Sequence, residues 1–223
     1  MKILITGGGS EEPIDNVRSV CNFSTGKTSA FLADFFAQNG EEVKEIVSER
    51  CVKPEKTRFI TYRTFCDLKN ALEKECRTGN YDAIIHAAAV SDYSPDTIEI
   101  DGKTYSAGSV PKISGAESLV IRMKKNPKLV DSLKIWSGEN TKVVAFKLTS
   151  QASIEERKAC VMKIFNAHKD KKLSPDYVVS NDKSEITAER HPCRIFDKTG
   201  TVTAEADNLK ELAETLSKIL KKS

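Results

Sequence analysis

The feature that most constrains this chain is an alternation of two hydrophobic periods along most of its length. Lys2 to Thr6 is a short apolar strand pattern that stops at Gly7-Gly8-Gly9. Thr25 to Asn39 has helical spacing, with Ser24 as expected N-cap and Gly40 as stop. Val43 to Val47 and Arg58 to Thr61 read as strands, and Thr64 to Arg77 as a helix. Asp82 to Ala89 is a continuous apolar run, the signature of a strand buried on both faces. A helix is expected from Asn126-Pro127 to about Ile135, then a strand over 143–148, a helix over 154–168 and a strand over 177–180. Asp197 to Gly200 reads as a turn between strands 193–196 and 201–204, and 209–221 as a closing amphipathic helix. Such alternation predicts an α/β fold, a mainly parallel sheet with helices on both faces.

One segment departs from this pattern. From Tyr93 to about Glu117 there is no helical period, and Asp96, Gly102, Gly108, Pro111 and Gly115 are spread through it. So long a stretch is usually functional or mobile. It is expected to project from the sheet as an arm.

Composition narrows the classes of function. The 223 residues suit one domain, or one domain with an insertion, and 39% are hydrophobic, enough for a normal core. With 35 Lys and Arg against 32 Asp and Glu the net charge is only +3, so no nucleic-acid partner is expected. No apolar stretch approaches the roughly 20 residues of a membrane helix, so no membrane partner is expected either. Met1-Lys2 runs straight into Ile3-Leu4-Ile5, which suggests no signal peptide and a reducing, cytoplasmic setting. The six cysteines show no zinc-ligand spacing and read as free thiols.

Four places could carry chemistry. The Gly7-Gly8-Gly9 turn follows a first strand, where backbone amides can approach a phosphate. The dinucleotide fingerprint is incomplete, because Glu12 stands where a third glycine belongs and Glu12-Pro13 disfavours an immediate helix. A tight turn without ligand is the alternative. Ser24-Thr25-Gly26-Lys27-Thr28 imitates the end of a P-loop, but Cys21 stands where the first glycine should be. A helix start of this kind still suits an anion, against simple capping as the alternative. Ala87 to Tyr93 ends the central strand, where open α/β sheets bind ligands. There Asp92 reads as a ligand to ribose, base or metal, or as an Asx turn, and His86 as a core histidine. Lys112, in the arm, is on local evidence one basic residue among 35.

Taken together, these residues resemble phosphopantothenoylcysteine synthetase. Gly8-Gly9-Ser10 with Glu12-Pro13-Ile14-Asp15 and Val17-Arg18 is similar to that family's G-G-T…E-P-I-D-x-V-R opening. Asn22 to Lys27 resembles its N-x-S-S-G-K box, and Ala88 to Tyr93 its A-A-V-[AS]-D-[YW] box. Lys112-Ile113 resembles the first half of K-I-K-K; Asn126 to Leu129, Ala145 to Leu148 and Val178 to Asp182 resemble N-P-D-I-L, G-F-K-L and I-V-A-N-D. Seven motifs run in family order from about residue 5 to 185. The sequence departs at Ser114-Gly115, which replaces two lysines, and at Ser29, where many members have glycine. A later lysine segment is only loosely matched by Lys169 and Lys171 or Lys172.

The resemblance implies a Rossmann-like ligase domain over 1–223 with a dimerisation arm inserted at about 93–120. It implies ligation of 4′-phosphopantothenate to L-cysteine through an acyl-nucleotidylate, with CTP preferred over ATP as cosubstrate, and with Mg²⁺ whose ligands are open. No fused decarboxylase, and so no flavin, is expected. By the same resemblance Asn22 holds the pantothenoyl acyl group, Arg18 supports its loop, and Lys112 reaches phosphates, in the neighbouring subunit of a homodimer. Gly8, Ser24 and Gly26 cradle phosphates. Ala88, Ala89 and Asp92 hold nucleotide or pantothenoyl groups, Phe146 packs on the base, and Asn181 contacts nucleotide. Two rival readings are a nicotinamide-dependent oxidoreductase and a non-catalytic nucleotide-binding module. The short-chain type of the first needs Tyr-x-x-x-Lys, and none of Tyr62, Tyr81, Tyr93, Tyr105 or Tyr177 has Lys four residues on. The second would tolerate loss of Asn22 and Lys112, yet both are present.

Overall fold

The structure is a computed structural model that describes residues 1–187 and 189–221. In chain order its strands are β1 (Lys2–Gly7), β2 (Glu11–Pro13), β3 (Ser19–Cys21), β4 (Glu42–Ser48), β5 (Arg58–Tyr62), β6 (Ala83–His86), β7 (Tyr93–Ile100), β8 (Lys103–Ser106), β9 (Leu119–Lys125), β10 (Lys142–Thr149), β11 (Tyr177–Asp182), β12 (Cys193–Asp197) and β13 (Val202–Ala206). Its helices are α1 (Lys27–Gln38), α2 (Phe65–Thr78), α3 (Leu133–Ser137), α4 (Ile154–Phe165) and α5 (Leu209–Lys221).

Eight strands form one sheet in the order β13-β12-β11-β10-β6-β1-β4-β5. The six strands from β11 to β5 are parallel, and β12 and β13 return antiparallel at one edge. The expected architecture is therefore present. Central β1 and β6 are apolar on both faces because both are covered. Ile3, Ile5 and Ile85 pack with Leu32, Ala33 and Phe36 of α1 and with Leu212, Leu216 and Leu220 of α5. Leu4 and Ile84 face the other way, onto Leu68 and Leu72 of α2 and Leu133 of α3. Each fully buried Ile or Leu contributes about 1.5–3 kcal/mol over its exposed state. The two edges of the parallel part cross over at β1 and β6, so the carboxyl ends of these strands open a crevice.

Three local expectations need correction. Helix α1 starts at Lys27 behind Gly26, whose φ is 74°, and no side chain caps it; Ser24 is not the N-cap. The helix expected over 126–135 is an extended Lys128, a 3₁₀ turn over Leu129–Ser132 and then the short α3. Pro127 disfavours helical backbone at Asn126 before it, and the helical turn begins only after Lys128. The helix expected over 154–168 ends at Phe165.

The segment expected to be irregular, 93–117, holds two strands, β7 and β8. They join β9, where the apolar Leu119-Val120-Ile121 reads as a strand, in a three-stranded antiparallel sheet, β8-β7-β9. Its hairpin turns at Asp101-Gly102, with φ of 46° and 80°. Two consecutive positive values are the signature of the type I′ turn that Asp-Gly favours. Ile98 is fully buried in a satellite core with Ile14, Val110 and Ile113.

One buried carboxyl is poorly compensated. Glu45 on β4 has no exposure, and among the described residues neither carboxylate oxygen has a hydrogen-bond partner. The nearby Ser29 hydroxyl, which donates to Gly26 O, and Lys53 offset its burial only in part. Burial raises it to about 7, and the charge of Asp34 adds to that. A folded-state value above the unfolded one means stability that is full below about 4.5 and is lost as pH rises through about 7. Glu45→Gln is therefore expected to match wild type in chemical denaturation near pH 5 and to exceed it by about 2–3 kcal/mol near pH 8. Parallel stability–pH curves for the two proteins would count against the buried carboxyl.

Candidate functional site

The crevice at the strand ends is a cleft of about 1470 Å³. Its floor begins where the loops after β1 and β6 leave the sheet side by side. Backbone bonds join them: Ala89 N–H donates to Gly8 O at 2.8 Å, and Ser10 N–H to Ala89 O at 3.2 Å. Asn22 N–H then donates to Ser10 O at 3.3 Å, and Ser91 N–H to the Ser10 hydroxyl at 3.0 Å. Gly9 is required here because a Cβ on it would lie 2.1 Å from Asn22 O. Gly8, at φ +85°, would collide with Ser48 and Cys51. The glycines thus serve close backbone packing at this junction.

Asn22 is oriented by it. Its side-chain amide donates to Ala89 O at 3.2 Å. An amide carries two N–H donors, so the second is left for a ligand. After Asn22 the chain runs through Phe23, whose ring is 93% exposed at the cleft, to the start of α1. The Cys51 thiol donates to Ser24 O and Val52 N–H to Thr25 O, which pins this loop to the segment after β4. Lys27, Thr28 and Ser29, the first residues of α1, line the cleft, and the Lys27 N–H reaches the Thr25 hydroxyl at 3.4 Å. The first N–H groups of a helix have no intrahelical acceptor, and the dipole is positive at that end.

Across the cleft lie Ala88, Ala89 and Asp92, then Phe146 of β10 and Asn181 of β11. Asp92 pairs with Lys128, just past Pro127. Phe146 is half-buried against the core formed by β1 and α5. Asn181 is tied to the His191 ring at 3.1 Å. Next to it, the Ser184 hydroxyl, with help from Thr149 and two backbone N–H groups, holds the Asp182 carboxyl far below the usual carboxylate range. That carboxyl thereby fixes the loops on either side of Asn181.

Gly8, Asn22, Ser24, Gly26, Ala88, Ala89, Asp92, Phe146 and Asn181 therefore share one cleft, whereas Arg18 and Lys112 do not line it. Arg18 instead donates to Ile113 O, while Asp15 accepts the Ile113 N–H at 3.0 Å and stands 3.8 Å from Arg18. The Ile113 N–H, with those of Val17 and Arg18, holds Asp15 below its ordinary range. This clamp leaves the neighbouring Lys112 exposed on the arm. Glu12 ties the same region together, accepting from Phe65 N–H at 2.7 Å and from the Ser94 hydroxyl at 2.8 Å.

Sequence reasoning missed much of the cationic lining. Lys27, Lys128, Lys147, Lys163, Lys183 and Arg190 line the cleft against Asp92, Asp131 and Glu189. Lys27, Lys128 and Lys147 stand inside motifs and Lys183 directly follows one, so they could have been singled out on that ground; nothing in the sequence marks Lys163. The loosely matched lysines lie elsewhere: Lys171 binds Phe165 O and Asn166, and Lys172 pairs with Glu139. Among the described residues no helix is long and apolar enough to cross a membrane.

Known proteins share this arrangement of elements. The coenzyme A biosynthesis bifunctional protein CoaBC of Methanocaldococcus jannaschii is 27% identical over 187 residues, 82% of this chain and 41% of that protein. The chain spans about half the length, or less, of such relatives. The DNA/pantothenate metabolism flavoprotein from Streptococcus pneumoniae superposes with a TM-score of 0.86 at 26% identity, covering 99% of this chain and 98% of that one. A Cab2 mutant complexed with phosphopantothenate-cysteine has the same fold, with a TM-score of 0.69 at 17% identity over 98% of this chain and 84% of that one. The DNA/pantothenate metabolism flavoprotein C-terminal domain matches residues 1–222, which takes in every strand and helix that builds the cleft. The chain belongs to that family.

Proposed function

We propose that the chain, acting as one ligase domain, joins 4′-phosphopantothenate to L-cysteine at the expense of a nucleoside triphosphate. The supporting observation is that the Asn22–Gly26 loop, the Ala88–Asp92 loop, Phe146 and Asn181 face one cation-rich cleft. Relatives named for coenzyme A biosynthesis, and a structural neighbour complexed with phosphopantothenate-cysteine, support this reading.

In the proposed reaction a carboxylate oxygen of phosphopantothenate attacks the α-phosphorus, and the bond to pyrophosphate breaks. The cysteine amine then attacks the acyl carbon, loses a proton, and displaces the nucleoside monophosphate. Both steps bring anionic or developing anionic oxygens together, so the site must supply fixed donors. The amides at the start of α1, near Ser24 and Gly26, take phosphate oxygens, with Lys27 beside them. The free N–H of Asn22 faces the acyl oxygen as it becomes tetrahedral. Asp92, released from Lys128, takes a hydroxyl or base donor, Phe146 packs on the base, and Asn181 adds a nucleotide contact.

Among the described residues no group of three or more His, Cys, Asp or Glu could hold a metal ion. A cage built by the protein alone therefore does not fit Mg²⁺. The ion fits only as a companion of the triphosphate, as is usual for Mg²⁺, where it neutralises phosphate charge.

Asn22→Ala is expected to slow product formation by about 10²–10³ while acyl-nucleotidylate still forms and accumulates, detectable by mass spectrometry. Unchanged product formation would remove Asn22 from this role. CTP should exceed ATP in kcat/KM; a tenfold preference for ATP would reverse that assignment. The arm sheet is proposed to pair across a homodimer and carry Lys112 to the partner's phosphates. Mixing the two impaired proteins, Lys112→Ala and Asn22→Ala, should then restore activity, since mixed dimers contain one intact site. Lack of recovery, with subunit exchange confirmed, would place Lys112 in its own chain's site or outside catalysis.

A further inference from the structure

His86 is the last residue of β6, at the centre of the cleft floor. It stands beside Thr6 of β1, in parallel register, and Thr6 has no exposure. The Thr6 hydroxyl lies 2.8 Å from His86 Nδ1 and accepts the Ala88 N–H at 3.3 Å. A hydroxyl has one proton to give. With Ala88 on its lone pair, that proton has one described acceptor, His86 Nδ1; pointed anywhere else it would be a buried donor without partner. Nδ1 therefore accepts, and the ring proton is on Nε2. Burial pulls His86 down to about 4, so the ring is neutral. Nε2 has no partner among the described residues, and the ring lines the cleft. The sequence reading of His86 as a core histidine accounts for its burial but leaves this second nitrogen unused.

We propose that His86 is a substrate-binding residue whose imidazole, held as the Nε2–H tautomer by the Thr6 hydroxyl, donates to an uncharged carbonyl or hydroxyl oxygen of the bound substrate. The assignment to an uncharged oxygen follows from the surroundings. Phosphates have better partners elsewhere in the cleft, at the helix dipole and amides that begin α1 and at the cations Lys27, Lys128, Lys147 and Lys163, whereas a single neutral N–H suits an uncharged oxygen. At the floor the neighbours are Ala87, Ala88 and Ala145, small side chains that leave room for a ligand to reach the ring. The pantothenoyl chain, a nucleotide's ribose and a cytosine base all carry such an oxygen. The inference rests on the ligase reading above.

The test begins with wild-type protein, ¹⁵N-labelled at histidine and observed by NMR while 4′-phosphopantothenate and CTP are added separately. The Nε2–H tautomer is expected in the free protein, and one of the two ligands should move the Nε2–H resonance, which identifies the source of the oxygen. Kinetics of His86→Leu should show KM for that same substrate raised about tenfold, the scale of one hydrogen bond, with kcat changed less. His86→Gln, which returns a neutral N–H at similar reach, should recover most of the loss. An Nδ1–H tautomer, a resonance moved by neither ligand, or a Gln variant no better than Leu overturns the inference. The NMR arm needs no variant, so a His86→Leu protein that fails to fold does not block the decision. Wild type that ligates while His86 stays unmoved overturns this inference alone. Wild type without ligation overturns the ligase reading, and this inference falls with it.

Discussion

Everything at the cleft depends on the backbone junction between the loops that follow β1 and β6. Parallel strands normally diverge into separate loops at their carboxyl ends. Here Gly8, Ser10 and Ala89 keep pairing beyond the strands, and an isolated bridge links Gly9 to Ala89. The Tyr62 hydroxyl donates to Gly8 O from below at 3.0 Å, which fixes the height of the turn. Asn22 is hung on the same junction through its backbone N–H and its side chain. The result is a rigid floor whose donors are aimed before any ligand arrives, which is the condition for electrostatic stabilisation without reorganisation. The requirement is steric: a single Cβ at Gly9 would occupy the space of the Asn22 carbonyl.

A second consequence is that the arm is part of the same construction. Glu12 and Asp15 leave the junction in opposite directions. Glu12 joins the start of α2 to Ser94 at the base of β7, and Ser94 in turn meets Asn126, whose amide returns to Ser91 O. Asp15 with Arg18 grips Ile113 at the far side of the arm. Buried carboxylates of this kind are costly unless hydrogen-bonded, and these are. Glu12 and Asp15 therefore act in assembly: they set where the arm stands relative to the cleft. Glu45 is the contrast, a buried carboxyl with no such partners.

The central sheet was legible because its signal is local and strong. The run from Asp82 to Ala89 and the short β-branched start leave no alternative to buried strands. The cleft residues were legible because they cluster at strand ends and in a recognisable order. The arm was read as irregular because it lacks a helical period and scatters Asp96, Gly102, Gly108, Pro111 and Gly115, while the register shift between Pro95 and Thr97 breaks the two-residue period that would have marked β7. The Asp101-Gly102 pair was the available clue to its hairpin. Ser24 looked like an N-cap because a hydroxyl before a helix usually is one; the left-handed Gly26 moved the helix start by two residues. Arg18 was read as support for its loop and Asp15 only as part of a motif, and nothing local shows their contact with Ile113, nearly a hundred residues away. The tautomer of His86 depends on Thr6, eighty residues earlier, and no sequence pattern carries that.

The central claim is that this floor and its cations form a ligase site. The direct measurement supplies the purified protein with 4′-phosphopantothenate, L-cysteine, Mg²⁺ and either CTP or ATP, and follows pyrophosphate and 4′-phosphopantothenoylcysteine together. The account predicts one pyrophosphate per product, and no turnover when phosphopantothenate is omitted. Folded protein that yields no product with either nucleotide would contradict it.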